Sequence, residues 1–241
     1  YGDHPDLHSF PTRRSSDLTI AEVYLNGTLL GEAHDQFIPW EFDITHEARY
    51  GERNELLIRF RPPALWVDEH GKDLSVVQGF SLKYRNWVRK SAMSFGWDNV
   101  PRVITAGPFR PVWIEAHSGP RIEDVHVTTR VQSLNQASVE VEVTVFNPAP
   151  RSLEADVQCE LSCEDFIAQV SVPVRLGAAD RLSEVLTFDL ASPRLWWPHT
   201  KGEPHLYNLE ARVKEGSQVT DSHRLRVGVR EIAVLEEPQE D

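Results

Sequence analysis

Cysteine is nearly absent from this chain, and its scarcity excludes a disulfide scaffold. Cys159 and Cys163 are the only thiols among 241 residues. The segment holding them reads as extended, where four residues span about 13 Å at roughly 3.3 Å each, beyond the reach of a disulfide. Both are expected to be free, which leans the compartment toward the reducing cytoplasm. A lone Cys-x-x-x-Cys has no partner ligands, and the ten histidines show no metal-ligand spacing, so neither a metal nor a cofactor is expected. Positive charge is also in deficit: 25 Lys and Arg against 37 Asp and Glu give a net charge of −12. Nucleic acid is thereby excluded as a partner, because the basic footprint that phosphates require is missing. No apolar run reaches the roughly 18 residues of a helical membrane span. Gly-x-Ser-x-Gly, a glycine-rich phosphate loop and a Cys–His arrangement are absent too.

What the chain has instead is a concentration of aromatic rings. The stretch from Trp87 to Trp113 holds three tryptophans, with Arg89-Lys90 ahead of Phe95-Gly96-Trp97-Asp98 and no helical periodicity. An indole beside a carboxylate suits a sugar: the ring covers the C–H face of a pyranose, and the carboxylate accepts two hydroxyl hydrogen bonds. The alternative is a Trp97 packed in the core with Asp98 capping a turn.

The first eighteen residues are expected to be a non-native leader. Phe10-Pro11-Thr12-Arg13-Arg14-Ser15-Ser16-Asp17-Leu18 reads as the in-frame translation of a common sequencing-adapter string and is set aside as tags are; the alternative is a natural polar arm. From Thr19 the pattern is β. Ile20, Val23 and Leu25 run into Asn26-Gly27, a strong hairpin signal, with Leu29-Leu30 on the return strand. Phe37 to Ile44, Glu55 to Phe60 and Val112 to Ala116 read as strands, with Trp40 and Trp113 in the core. Arg61 to Gly79 reads as a long surface loop, and Lys83 to Lys90 as the place for one short helix. Ser118-Gly119-Pro120 marks a boundary. Beyond it Val139, Val141, Val143 and Val145 alternate with Glu140, Glu142 and Thr144, a half-buried antiparallel strand. Six further strands are expected at 122–131, 153–161, 169–176, 182–190, 205–213 and 219–227, which together make an immunoglobulin-like sandwich.

Val23-Tyr24-Leu25-Asn26-Gly27, Ser94-Phe95-Gly96-Trp97-Asp98 and Thr105-Ala106-Gly107-Pro108-Phe109-Arg110-Pro111-Val112 resemble the N-terminal part of a β-mannosidase of glycoside hydrolase family 2. Leu195-Trp196-Trp197-Pro198, Glu203-Pro204-His205-Leu206-Tyr207 and Arg226-Val227-Gly228-Val229-Arg230-Glu231-Ile232 resemble the second domain of the same family. The resemblance implies an all-β chain: a galactose-binding-like jelly roll over 19–117, an immunoglobulin-like β-sandwich over 118–230, and a connection over 231–241 to a catalytic (β/α)8 barrel that is absent here. It implies a retaining hydrolase acting on terminal β-D-mannose, whose two glutamates are borne by the barrel. This chain alone would then hold no catalytic residue. Glu164-Asp165 and Glu236-Glu237 are adjacent pairs that point apart on an extended chain, whereas retention needs two carboxyl groups about 5–5.5 Å apart.

By the same resemblance Trp97 and Asp98 are substrate-binding, Asp98 accepting hydrogen bonds from mannose hydroxyls and Trp97 shaping the pocket. Arg89 and Lys90 either hold this loop or meet the barrel; otherwise they are a solvated basic pair. The implied partners are a β-mannoside or manno-oligosaccharide and, within the parent chain, the missing barrel. The family usually continues Trp-Asp-Trp-Gly-Pro, whereas Asn99 and Val100 stand here, removing a ring and stiffening the backbone. Trp196-Trp197-Pro198 is expected to pack at a domain contact rather than form a sugar platform. An apolar face left bare on the sandwich is expected where the barrel would pack. The alternatives are another family 2 glycosidase of the β-galactosidase or exo-glucosaminidase type, and a free-standing carbohydrate-binding module.

Overall fold

Strand and turn propensities realise an all-β architecture in two units, Tyr1–Ala116 and His117–Asp241. The computed structural model describes residues 11–13, 19–70, 84–97, 99, 101–117 and 119–233.

The first unit contains two three-stranded antiparallel sheets. One has the order β3-β2-β5, from β2 (Ala21–Leu25), β3 (Thr28–Ala33) and β5 (Leu56–Phe60). The expected hairpin is present: β2 returns as β3 through Asn26-Gly27, with both residues at positive φ, 52° and 86°. Alternate residues Ala21, Val23 and Leu25 are buried beneath Leu30, Trp40, Phe42, Ile58 and Phe60. The other sheet has the order β4-β1-β6, from β1 (Pro11–Arg13), β4 (Glu41–Asp43) and β6 (Trp113–Ile114). β1 lies within the segment expected to be a leader; a ladder is built from main-chain groups and admits many sequences at such a position.

Several expectations change here. Residues 37–40 are not a strand, and only Glu41–Asp43 of the expected Phe37–Ile44 strand pairs. The Asp35 carboxylate accepts from the Phe37 N–H at 2.8 Å, and the Asp35 carbonyl from the Trp40 indole at 2.8 Å, so the chain turns instead of extending. The segment read as loop opens with α1 (Pro63–Glu69), whose Pro63 occupies a helix start, where a missing N–H costs nothing. Its Val67 is wholly buried with Ile20, Val88 and Phe95. The helix looked for near Lys83–Lys90 is a series of turns from Tyr84 onward, and a 3₁₀ turn falls later, at Ala92–Phe95. Trp40 is half-buried and outside a strand; Trp113 is in a strand but 37% exposed, its indole donating to Glu115.

All seven strands expected in the second unit are present: β7 (Arg121–Ser133), β8 (Gln136–Phe146), β9 (Leu153–Cys163), β10 (Phe166–Leu176), β11 (Arg181–Ala191), β12 (Tyr207–Glu215) and β13 (Gln218–Val227). They form two antiparallel sheets, β10-β9-β12-β13 and β11-β8-β7. The inward rows, Val139 to Val145 on β8 and Val157, Cys159, Leu161, Leu209, Ala211 and Val213 on β9 and β12, make one core. Cys159 and Cys163 are both free and buried in it. The turn at Asn147-Pro148 is held by a fully buried amide: Asn147 donates to the Arg151 and Gly177 carbonyls and accepts from the Ala149 N–H. The outward rows are polar, with Glu140, Glu142 and Thr144 on β8 and Glu154, Asp156 and Glu160 on β9. The bare apolar face expected on this unit does not appear among the described residues. Its exposed large apolar side chains, Leu134, Ile167, Val185, Trp197, Val219 and Ile232, are distributed over three strands, one turn and the segments before β12 and after β13.

Truncating Leu161, which is 0% exposed, to Ala should cost about 2–5 kcal/mol, read as a lower urea midpoint. Burial pushes the Cys159 thiol up from 9.0 to about 12. The neutral thiol is therefore favoured in the folded state, and its contribution is complete below the unfolded value. Between about 9 and about 12 the unfolded chain loses this proton first, so stability should fall with rising pH across that window. Cys159→Ala should flatten the fall, measured by urea denaturation at a series of pH values.

Candidate functional site

The stretch from Tyr84 to Trp97 is irregular backbone fixed by side chains rather than by a ladder. Val88 and Phe95 enter a core with Ile20 and Val67, against which Tyr84, Trp87 and Ile104 lean. Phe95, 1% exposed, is therefore the buried ring of the Phe95-Gly96-Trp97 run. The 3₁₀ turn ends at Gly96, whose φ of 99° disfavours a side chain, and the Gly96 N–H bonds back to Met93 O. The reversal leaves Trp97 51% exposed, so the alternative of a core Trp97 is not what the fold adopts. Arg85 lies over the Trp97 ring, 5.7 Å from its centroid, and adds a cation–π contact. Asp98 and Val100 lie outside the described residues; Asn99 is exposed in a turn.

Arg89 and Lys90 diverge. Arg89 Nε donates to Asp35 Oδ2 at 3.1 Å, and its guanidinium lies 5.9 Å from the Phe37 ring centroid. The main chain adds a bond from Gln36 N–H to Arg89 O, and the Gln36 side chain accepts from the Ser91 N–H at 3.0 Å. Lys90 is 4% exposed, and its ammonium donates to the buried Thr19 hydroxyl at 3.2 Å. The two are thus not a solvated pair: one ties the 35–37 turn to this stretch, and the other points inward. Asp35 and Gln36 were not singled out in the sequence; the only signal was a carboxylate two residues before an N–H it could cap.

Two carboxylates elsewhere are held ionised. A hydrogen bond from the Tyr24 hydroxyl, at 2.5 Å, and then one from Arg59 pull Glu22 below the usual carboxylate value against its desolvation. Arg212 first, then Arg224, do the same for Glu210 on β12. A general acid needs a raised value, so neither is suited to protonate a leaving group. Glu164 and Asp165 sit in the β9–β10 turn, not in extended chain, and both face Arg194, at 2.7 and 3.6 Å. Glu236 and Glu237 lie outside the described residues. Among the described residues no three His, Cys, Asp or Glu gather as for a metal ion, and no helix is long and apolar enough to cross a membrane.

The Trp196-Trp197 pair packs within its own unit. A Cβ on Gly228 would stand 2.9 Å from Trp196 Cγ, and one on Gly202 2.7 Å from Trp197 Cγ, so the base of each side chain sits against bare backbone. Arg230 covers Trp196 at 4.6 Å, and Trp197 keeps 44% of its surface exposed.

Residues 18–110 match the description "Glycosyl hydrolase 2 galactose-binding domain-like", and residues 121–230 match "Glycosyl hydrolases family 2". Beta-mannosidase B of Thermothelomyces thermophilus is 31% identical over 92% of this chain and 25% of its own length. The chain thus spans about a quarter of that curated relative. The crystal structure of a β-D-mannosidase from Dictyoglomus thermophilum superposes with a TM-score of 0.81, at 25% identity, over 97% of this chain and 29% of that one. An exo-chitosanase from Amycolatopsis orientalis reaches 0.74 at 21% identity, over 96% and 25%, a likeness of fold alone.

Because Arg89 is 73% exposed, Arg89→Ala should lower stability by less than about 1 kcal/mol. Asp35→Ala also removes the cap on Phe37 and should cost about 0.5–1.5 kcal/mol more. Tryptophan fluorescence during urea unfolding measures both.

Proposed function

Because this chain belongs to glycosyl hydrolases family 2, we propose that it is the N-terminal, non-catalytic part of a retaining β-mannosidase. The parent enzyme removes terminal β-D-mannose residues from β-mannosides. The observation that carries this reading is the likeness, over nearly the whole chain, to proteins named β-mannosidase. The chemistry resides on a barrel with two glutamates about 5–5.5 Å apart, as retention requires. The two units described here scaffold that barrel, and the first supplies a loop to the mannose pocket.

In this loop Trp97 presents its indole to the sugar and Asp98 accepts two hydroxyl hydrogen bonds. The half-exposed ring at 97, poised beyond a buried Phe95, supports that role. Lys90 and Arg89 serve as positioning residues, one fixed on Thr19 and the other on Asp35. A second reading is another family 2 glycosidase, of the β-galactosidase or exo-glucosaminidase type, since the family models match both units without specifying the sugar.

The test is to sequence the source locus through both ends of this reading frame and to express the complete enzyme. It should cleave an aryl β-mannoside in preference to the β-galactoside and β-glucosaminide; the reverse preference would favour the second reading. Two charge-assisted hydrogen bonds at about 1.5–3 kcal/mol each imply that Asp98→Ala lowers kcat/KM by about 10²–10⁴-fold. Calorimetry on the chain alone should find no tight mannose binding. Tight binding abolished by Asp98→Ala would instead identify a free-standing carbohydrate-binding module.

A further inference from the structure

The Asn26-Gly27 turn carries chemistry that its role as a hairpin does not use. An asparagine followed by glycine is prone to cyclise, because no side chain shields the glycine N–H and the backbone is free to bring it to the side-chain amide. The Gly27 nitrogen gives its proton to hydroxide and bonds to Asn26 Cγ. The Cγ–Nδ2 bond breaks, and ammonia leaves with a proton from water, which regenerates the hydroxide. Water then opens the succinimide at either carbonyl, leaving aspartate or isoaspartate at position 26.

The fold opposes each step. Asn26 Nδ2 donates to Glu47 O at 2.8 Å and to Asn54 Oδ1 at 2.8 Å, while Oδ1 accepts from the Glu55 N–H at 3.0 Å. The Asn26 N–H is itself bonded to Glu55 O at 2.9 Å. All these partners lie on the 47–55 segment, so the amide must release three hydrogen bonds before Cγ can meet the Gly27 nitrogen. Asn54 in turn binds Arg49 N–H, Arg49 O and Glu52 O, so the clamp is continuous with that loop.

We propose that Asn26-Gly27 is a latent succinimide-forming site that the folded first unit keeps inert, and whose product cannot rebuild the clamp. Cyclisation is confined to molecules in which this hairpin has opened. An aspartate at 26 offers acceptors to Glu47 O and Asn54 Oδ1, which are acceptors themselves, and isoaspartate also lengthens the main chain by one atom. Each opening long enough for reaction therefore removes that molecule irreversibly from the native pool.

The test incubates the full chain in mildly alkaline buffer, folded and in urea, and quantifies aspartate and isoaspartate at position 26 by peptide mapping. The folded chain should react at least about tenfold more slowly, because the rate follows the open population. Asn54→Ala, which removes one acceptor and loosens the loop, should accelerate reaction in the folded state. Asn26→Asp, which mimics one product, should lower the urea midpoint of the first unit. Equal rates in the two states, no reaction in urea, an unaltered folded-state rate in Asn54→Ala, or an undiminished midpoint in Asn26→Asp would each overturn the proposal.

Discussion

Both units depend on one constraint: a strand must pair every main-chain N–H and C=O while only half of its side chains leave water. Two sheets laid face to face satisfy it, and the sandwich does so in its plainest form. Val139, Val141, Val143 and Val145 turn inward against Val157, Cys159 and Leu161, and the intervening Glu140, Glu142 and Thr144 remain at the surface. The same parity explains why two thiols four residues apart are both buried yet cannot join.

Where the chain leaves the ladder, side-chain amides and carboxylates take over the pairing. Asn147 satisfies three main-chain groups around a turn of the sandwich. Asn26 bridges the first hairpin to the 47–55 loop, and Asp35 with Gln36 binds the 35–37 turn to Arg89 and Ser91. These are inexpensive devices, each worth of order 1 kcal/mol, but they fix the position of irregular segments that packing alone would leave adjustable. The stretch bearing Trp97 is of this kind, with Phe95 and Val88 holding it from below.

An exposed indole on such a mounting has a role only through what it meets. The Trp196-Trp197 pair differs in its support: the base of each side chain sits against bare backbone at Gly228 and Gly202. Trp97, 51% exposed with Arg85 over its ring, is the indole to which the sugar-binding reading attaches.

The sequence by itself determined the strands of the second unit, the hairpin at Asn26-Gly27 and the free thiols. In each case the signal is local: a period of two, a turn dipeptide, or a spacing along one strand. Tertiary structure alone decided that Pro63–Glu69 coils into a helix over Ile20, that Asp35 stops a strand before Glu41, and that Lys90 points inward while Arg89 lies outside. It also decided that the ring buried in the Trp97 stretch is Phe95. Apart from the Asp35 turn, which rests on contacts two and five residues away, these outcomes rest on contacts between residues tens of positions apart, where neither propensity nor periodicity carries information about which side chain reaches the core first.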